Sequence, residues 1–203
     1  MFVTTFDQGT GTAGWCWCCD CQRNLAATGM AVWRDLRRGG AVLLGPTVWA
    51  VPNLPAVEPL VTRVKGLVEQ ANGTVLALVA DGRAVADTAR LEQLYADARA
   101  EEWSEFRADC GKYLAELASE EARQKYTLAE LEEEEQSLDR LRRWFRELRG
   151  RDLLGSEATT EAATELKRCE AAFDGYANNV YAALAQPHPG DPRAAGRLDE
   201  GSI

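Results

Sequence analysis

The sequence predicts an α+β protein in which a small split β-α-β sheet is followed by a mostly helical C-terminal part. Three observations point there: two short β-prone runs around a Gly-Pro turn, apolar stripes of helical period on either side of them, and an unbroken helical pattern after Gly82. In Met30 to Arg38, Val32, Trp33 and Leu36 share one helical side. Arg34, Arg37 and Arg38 occupy another at i, i+3 and i+4, and Gly39-Gly40 is the stop. Ala41-Val-Leu-Leu and Thr47-Val-Trp-Ala-Val flank Gly45-Pro46 and end at Pro52, so they form a hairpin. Leu60, Val61, Val64, Leu67 and Val68 mark a second helix, Asn72-Gly73 breaks it, and Thr74 to Val79 is expected as a buried strand.

The helical part opens with Leu91, Leu94, Tyr95 and Ala98 and runs on through Trp103, Phe106, Cys110, Tyr113 and Leu117. Thr127 and Glu130 have capping-box spacing, each side chain able to satisfy the other's free amide at a helix start; Leu131, Leu138, Leu141, Phe145 and Leu148 follow. Leu166, Cys169, Phe173, Tyr176, Val180 and Leu184 belong to a third long helix. The expected organisation is an atypical N-terminus over residues 1–29, a small α/β part over 30–86, a helical part over 87–185 and a disordered tail over 186–203, rich in Pro, Gly and charge. The order helix, strand, strand, helix, strand asks for one more strand at the front to complete a ferredoxin-like unit. No pattern for one is visible there, and residues 1–29 are expected to contribute no well-supported strand.

The chain has 203 residues, 46% of them hydrophobic and 27% charged, which suits one generous globular domain or a small domain with a helical extension. No apolar run approaches a membrane span and no secretory signal opens the chain, so a cytoplasmic location is expected. The net charge of −9 argues against a polyanion gripped by the whole surface. Acidic residues are concentrated between Glu92 and Glu135, whereas Ser137 to Arg151 holds six arginines against Asp139 and Glu147. Any anion site must be local.

Cys16, Cys18, Cys19 and Cys21 lie too close together for the separated knuckles of a structural zinc site, and no metal is expected. Cys110 and Cys169 fall on apolar stripes and are expected as buried thiols. His188, the single histidine, sits in the Pro-rich tail, which rules out a histidine-dependent triad; neither a P-loop nor a G-x-G-x-x-G turn occurs, so no enzyme activity and no cofactor are expected. Glu132 to Glu135 is expected to be a solvated helix face. The arginines remain: Arg34, Arg37 and Arg38 on the first helix, and Arg142, Arg146 and Arg149 on one side of a later one. Guanidinium forks suit phosphates and tetrahedral oxyanions, so all six are candidates for DNA or oxyanion contact. Sign alternation along Asp139, Arg143, Glu147 and Arg151 is the usual pattern of a salt-bridged solvent face, the reading favoured over ligand contact for this helix.

Ala31-Val-Trp-Arg-Asp-Leu-Arg-Arg, Gly40-Ala-Val-Leu-Leu-Gly, Val48-Trp-Ala-Val-Pro, Leu138-Asp-Arg-Leu-Arg-Arg-Trp-Phe and Arg151-Asp-Leu-Leu-Gly together resemble the N-terminal domain of ChrB, the chromate-resistance regulatory protein. The similarity runs from about Met30 to about Leu184 and lies in the joint order of the motifs. It implies a chromate-responsive, DNA-binding regulator or an accessory protein of a chromate efflux transporter, with the operator of a chromate-resistance operon and chromate itself as partners. The alternative is a non-catalytic interaction module in which the small sheet pairs two subunits and the helices dock a protein. Chromate reduction has no flavin or nicotinamide fingerprint behind it.

The family's apolar first strand and its Pro-Glu-Pro-Ser-Arg-His-Arg-like turn have no counterpart before Met30. Back-translating Trp15 to Gly29 with permitted codons and starting at the third base gives Val-Leu-Val-Leu-Arg-Leu-Pro-Ala-Glu-Pro-Ser-Arg-His-Arg. The serine rests on the codon chosen for Leu25; the Val/Leu run follows from the restricted codons of Trp and Cys. The N-terminus is therefore expected to be read in a shifted frame that rejoins the family's frame near Met30.

Overall fold

A computed structural model describes residues 15–20, 26–80 and 82–185. The tail expected over 186–203, His188 and Cys21 lie outside the described residues. The elements are β1 (Trp15–Asp20), α1 (Ala26–Arg38), β2 (Val42–Gly45), β3 (Val48–Pro52), α2 (Glu58–Gln70), β4 (Thr74–Ala77), α3 (Val85–Ala122), α4 (Leu128–Arg151) and α5 (Glu157–Ala185). The chain divides into two compact units, one of residues 1–105 with 144–162 and another of 106–143 with 163–203.

In the first unit the four strands form one antiparallel sheet in the order β2-β3-β1-β4, the ferredoxin-like arrangement. The expectation that residues 1–29 supply no strand does not hold. Trp15–Asp20 lies inside the sheet, with Trp17 opposite Trp49 of β3 on one side and opposite Ala77 of β4 on the other. A gap flanked by two strands offers backbone hydrogen bonds on both edges, and this tertiary demand outweighs the missing β pattern of the run itself. Thr74–Ala77 is a strand as expected but not a buried one: it forms the sheet edge and its residues alternate between exposed and half-buried.

Both faces of β3 are covered, as the burial of the consecutive residues Trp49, Ala50 and Val51 requires. Trp49 and Val51 pack with Val32 and Leu36 of α1 and Val64 and Val68 of α2. Ala50 and Val42 pack with Tyr95 of α3. α1 begins one turn before Met30, and Gly39-Gly40 ends it as the sequence predicts, Gly39 N–H bonding the Asp35 carbonyl.

In the second unit, α3, α4 and α5 contribute Phe106, Cys110, Tyr113 and Leu117, then Leu131, Leu138 and Leu141, then Cys169, Tyr176 and Val180 to the buried set. The 3–4 spacing of these residues is the predicted stripe. Cys110 and Cys169 are buried thiols as expected, with the Cys169 Sγ 3.7 Å from the Cys110 carbonyl oxygen. The capping position is also as predicted: Glu130 N–H donates to Thr127 Oγ1 at 3.3 Å. Glu132 to Glu135 is not uniformly solvated. Glu134 is buried because a helix with about 3.6 residues per turn cannot keep four consecutive side chains on one face, and its Oε2 has no hydrogen-bond partner among the described residues. No described helix is long and apolar enough to cross a membrane.

Candidate functional site

The segment after α4 is fastened to α1 and α3 inside the first unit. Gly40 sits at φ +81°, and a Cβ on it would collide with the Arg151 carbonyl oxygen, so only glycine permits the approach. Tyr95 OH donates to the same carbonyl at 2.6 Å and accepts the Leu153 N–H at 2.9 Å. Burial pushes the Tyr95 phenol up to about 12, and the phenol stays a donor at any physiological pH. At the next residue, Asp152 Oδ2 accepts Trp103 Nε1 at 3.2 Å and the hydroxyls of Ser156 and Thr159, each at 2.7 Å. Burial raises that carboxyl, but the hydrogen bonds from Thr159, Ser156 and Trp103 outweigh it and hold Asp152 below the ordinary carboxylate range.

Against this frame three guanidinium groups converge on one carboxylate oxygen. Glu102 Oε1 lies 3.4 Å from Arg99 Nη2, 3.4 Å from Arg151 Nη1 and 3.7 Å from Arg37 Nη2. Arg99 is 4% exposed, and the Nε atoms of Arg99 and Arg151 are buried without a hydrogen-bond partner among the described residues. Glu147 reaches Arg151 at 3.7 Å from the exposed side. Arg37, Arg99 and Arg151 thus meet Glu102 and the solvated Glu147, with Glu101 and Glu105 at the same cleft, and buried cations are stable only when anions compensate them. The Arg99 guanidinium lies 5.2 Å from the Tyr95 ring, and that of Arg37 lies 5.2 Å from the Trp33 ring.

The cluster borders a cleft of about 440 Å³, a volume typical of small-ligand sites. Trp33 and Arg37 of α1, Leu43 of β2, and Leu94, Arg99 and Glu102 of α3 are among the residues that line it. Glu101 and Glu105 also reach its wall.

A family model described as protein ChrB, N-terminal, matches residues 29–187 of the 203. The chain belongs to the ChrB family. That membership gives it a regulatory or accessory role in chromate resistance. Comparison with curated proteins and with solved structures returns no significant match.

Three of the segments that carry the ChrB resemblance, around Trp33, Val42 and Trp49, meet at the cleft, and a fourth, Arg151-Asp-Leu-Leu-Gly, supplies the carbonyl and guanidinium beside it. Of the arginines singled out in this ChrB-family sequence, Arg37 alone lines the cleft. Arg34 is exposed and its Nε donates to the Met30 carbonyl at 3.3 Å, while Arg38 is exposed in the last turn of α1. Arg142 belongs to the second unit, where Asp139 at 3.2 Å and Glu170 at 2.9 Å hold it. The hydrogen bond to Glu170 above all raises its pKa beyond the usual arginine value, so its charge serves an ion pair between helices. Arg146 and Arg149 are exposed on α4.

Sequence reasoning missed Arg99, Arg151 and Glu102. A signal for Arg99 exists: with Tyr95 at i−4 and Trp103 at i+4 it stands inside the apolar stripe of α3, where a cation has to find a carboxylate. Glu102, three residues on, is that carboxylate. Arg151 carries only the i−4 pairing with Glu147 as a local signal; Glu102 and Tyr95, which place it in the cluster, lie 49 and 56 residues away.

Proposed function

We propose that the chain is a chromate-responsive, DNA-binding regulator of a chromate efflux transporter, and that the cleft beside Glu102 reads the oxyanion. One observation carries the reading: Arg37, Arg99 and Arg151 crowd a single carboxylate oxygen at the edge of an open cleft. A tetrahedral dianion meets guanidinium forks through paired donors, and the Nε–H groups of Arg99 and Arg151 have no hydrogen-bond partner among the described residues. The three arginines come from α1, α3 and the end of α4, so an anion bound to all of them favours whichever arrangement of these elements brings the donors together. If the exposed Arg34, Arg38, Arg146 and Arg149 touch phosphates, the same equilibrium couples chromate to DNA affinity, and the coupling is reciprocal.

The test is a mobility-shift titration on the DNA upstream of the chromate-resistance operon, with and without chromate and over a range of salt. The expected result is binding that weakens linearly in log salt and is altered by chromate. Arg37→Ala should still bind DNA and lose most of the chromate response. No shift at low salt would remove the DNA-binding reading and leave the interaction module; an Arg37→Ala protein with full chromate response would move the oxyanion site elsewhere.

A further inference from the structure

Four large apolar side chains that stand well out of the first unit gather around the cleft mouth: Leu43 is 53% exposed, Leu94 42%, Trp33 40% and Leu44 37%. They come from α1, β2 and α3. A small oxyanion needs no such rim, and contiguous exposed apolar surface marks a contact with something larger. β2 is also an edge strand of the sheet, so the outer backbone groups of Val42–Gly45 face no neighbouring strand among the described residues. Edge strands are ordinarily blunted by charge, and this one, Val-Leu-Leu-Gly, has none.

The charges around the rim select the occupant. Arg37 on α1 is exposed, and so are Glu101 and Glu105 on α3, all at the same cleft. A purely acidic partner would meet the two glutamates, and a purely basic one would meet Arg37. A surface carrying the same apolar rim and both signs satisfies each, and a second copy of the chain is such a surface. In a two-fold interface residue i touches j of the partner while j touches its i, so placing α1 over the partner's α3 pairs Arg37 with an acid twice. We infer that the rim formed by α1, β2 and α3 around this cleft is a two-fold interface between two copies of this chain.

This inference does not rest on the chromate reading, because it is measured without chromate or DNA. Sedimentation equilibrium of the full chain under reducing conditions should give a reversible monomer–dimer equilibrium. Leu43→Glu and Leu44→Glu should both shift it to monomer while circular dichroism and melting stay close to wild type. Arg37→Glu and Glu105→Arg should each weaken the dimer by about tenfold or more, since each reversal acts at two symmetry-related contacts. The equimolar mixture of these two variants should recover association, because both cross-contacts then join opposite charges. Glu105 is exposed, so its variant keeps the test meaningful should Arg37→Glu unfold; Glu101→Lys then replaces Arg37→Glu as the second single reversal, with weakening as the result expected. A chain that is monomeric at its highest soluble concentration overturns the inference. So do leucine variants that remain dimeric, and so does a mixture of folded variants that fails to associate.

Discussion

Glu134 is a buried carboxylate. Burial, followed by the charges of Glu116, Glu133, Glu120 and Glu130, pushes its pKa up to about 7, and its Oε2 has no hydrogen-bond partner among the described residues. A carboxyl whose folded pKa lies above its unfolded one favours folding while protonated. Its contribution is complete below the ordinary glutamate range and is lost as pH rises through about 7. Glu134→Gln should therefore be more stable than wild type at pH 8, by denaturant melts, and the advantage should vanish near pH 4. An unchanged difference across that range would mean that the carboxyl ionises freely. The sequence placed Glu134 in a run of four acids and could not separate it from its neighbours; only the face of α4 turned toward Tyr113, whose hydroxyl donates to the Glu134 carbonyl at 3.3 Å, distinguishes it. Arg37 was legible as a surface arginine in helical register with others, but its partner Glu102 lies 65 positions further along, and charge pairing across such separations leaves no periodic mark.

At the level of elements, those whose burial is periodic were legible and those defined by their neighbours were not. The α1 stripe, the hairpin and the three long helices carry their cores in their own spacing. β4 differs: its Thr-Val-Leu-Ala run looks apolar enough for the sheet interior, yet it is an edge, since strand order is set by crossover connections and not by composition. The α4–α5 connection is another such case. Asp152 joins Trp103 of α3 to Ser156 and Thr159 at the start of α5 through one oxygen. Replacing Asp152 with Ala strands three donors in a half-buried place and should cost about 1–3 kcal/mol in chemical denaturation. Because the folded pKa of Asp152 is depressed, its contribution is present above the ordinary aspartate range and fades as pH falls through the lower folded value. Wild type should thus lose its advantage over Asp152→Ala in acid; a constant gap would show that the carboxylate charge is not what holds the turn.

For the molecule as a whole, the strand that completes the sheet is the one whose sequence fits worst. β1 lies between β3 and β4, and a central strand with neighbours on both edges is normally rich in Val, Ile and Leu. Trp15–Asp20 reads Trp-Cys-Trp-Cys-Cys-Asp, whereas the same stretch, back-translated with permitted codons and read one frame over, gives Val-Leu-Val-Leu-Arg-Leu, and the ChrB match begins at residue 29, beside the point where the shifted frame is expected to rejoin. The place of β1 in the sheet and the start of the family match thus both agree with the expected frame shift before Met30. Substituting Val-Leu-Val-Leu-Arg-Leu for Trp15–Asp20 should raise the melting temperature by at least about 2–4 °C, the change that about 1 kcal/mol produces in a chain of this size. The nucleotide sequence, translated from the third base of the Trp15 codon, should give the same run. Equal or lower melting of the substituted protein would mean that the Trp/Cys strand is matched to its surroundings as it stands, and a nucleotide sequence that yields no Val/Leu run would make residues 1–29 a feature of this lineage.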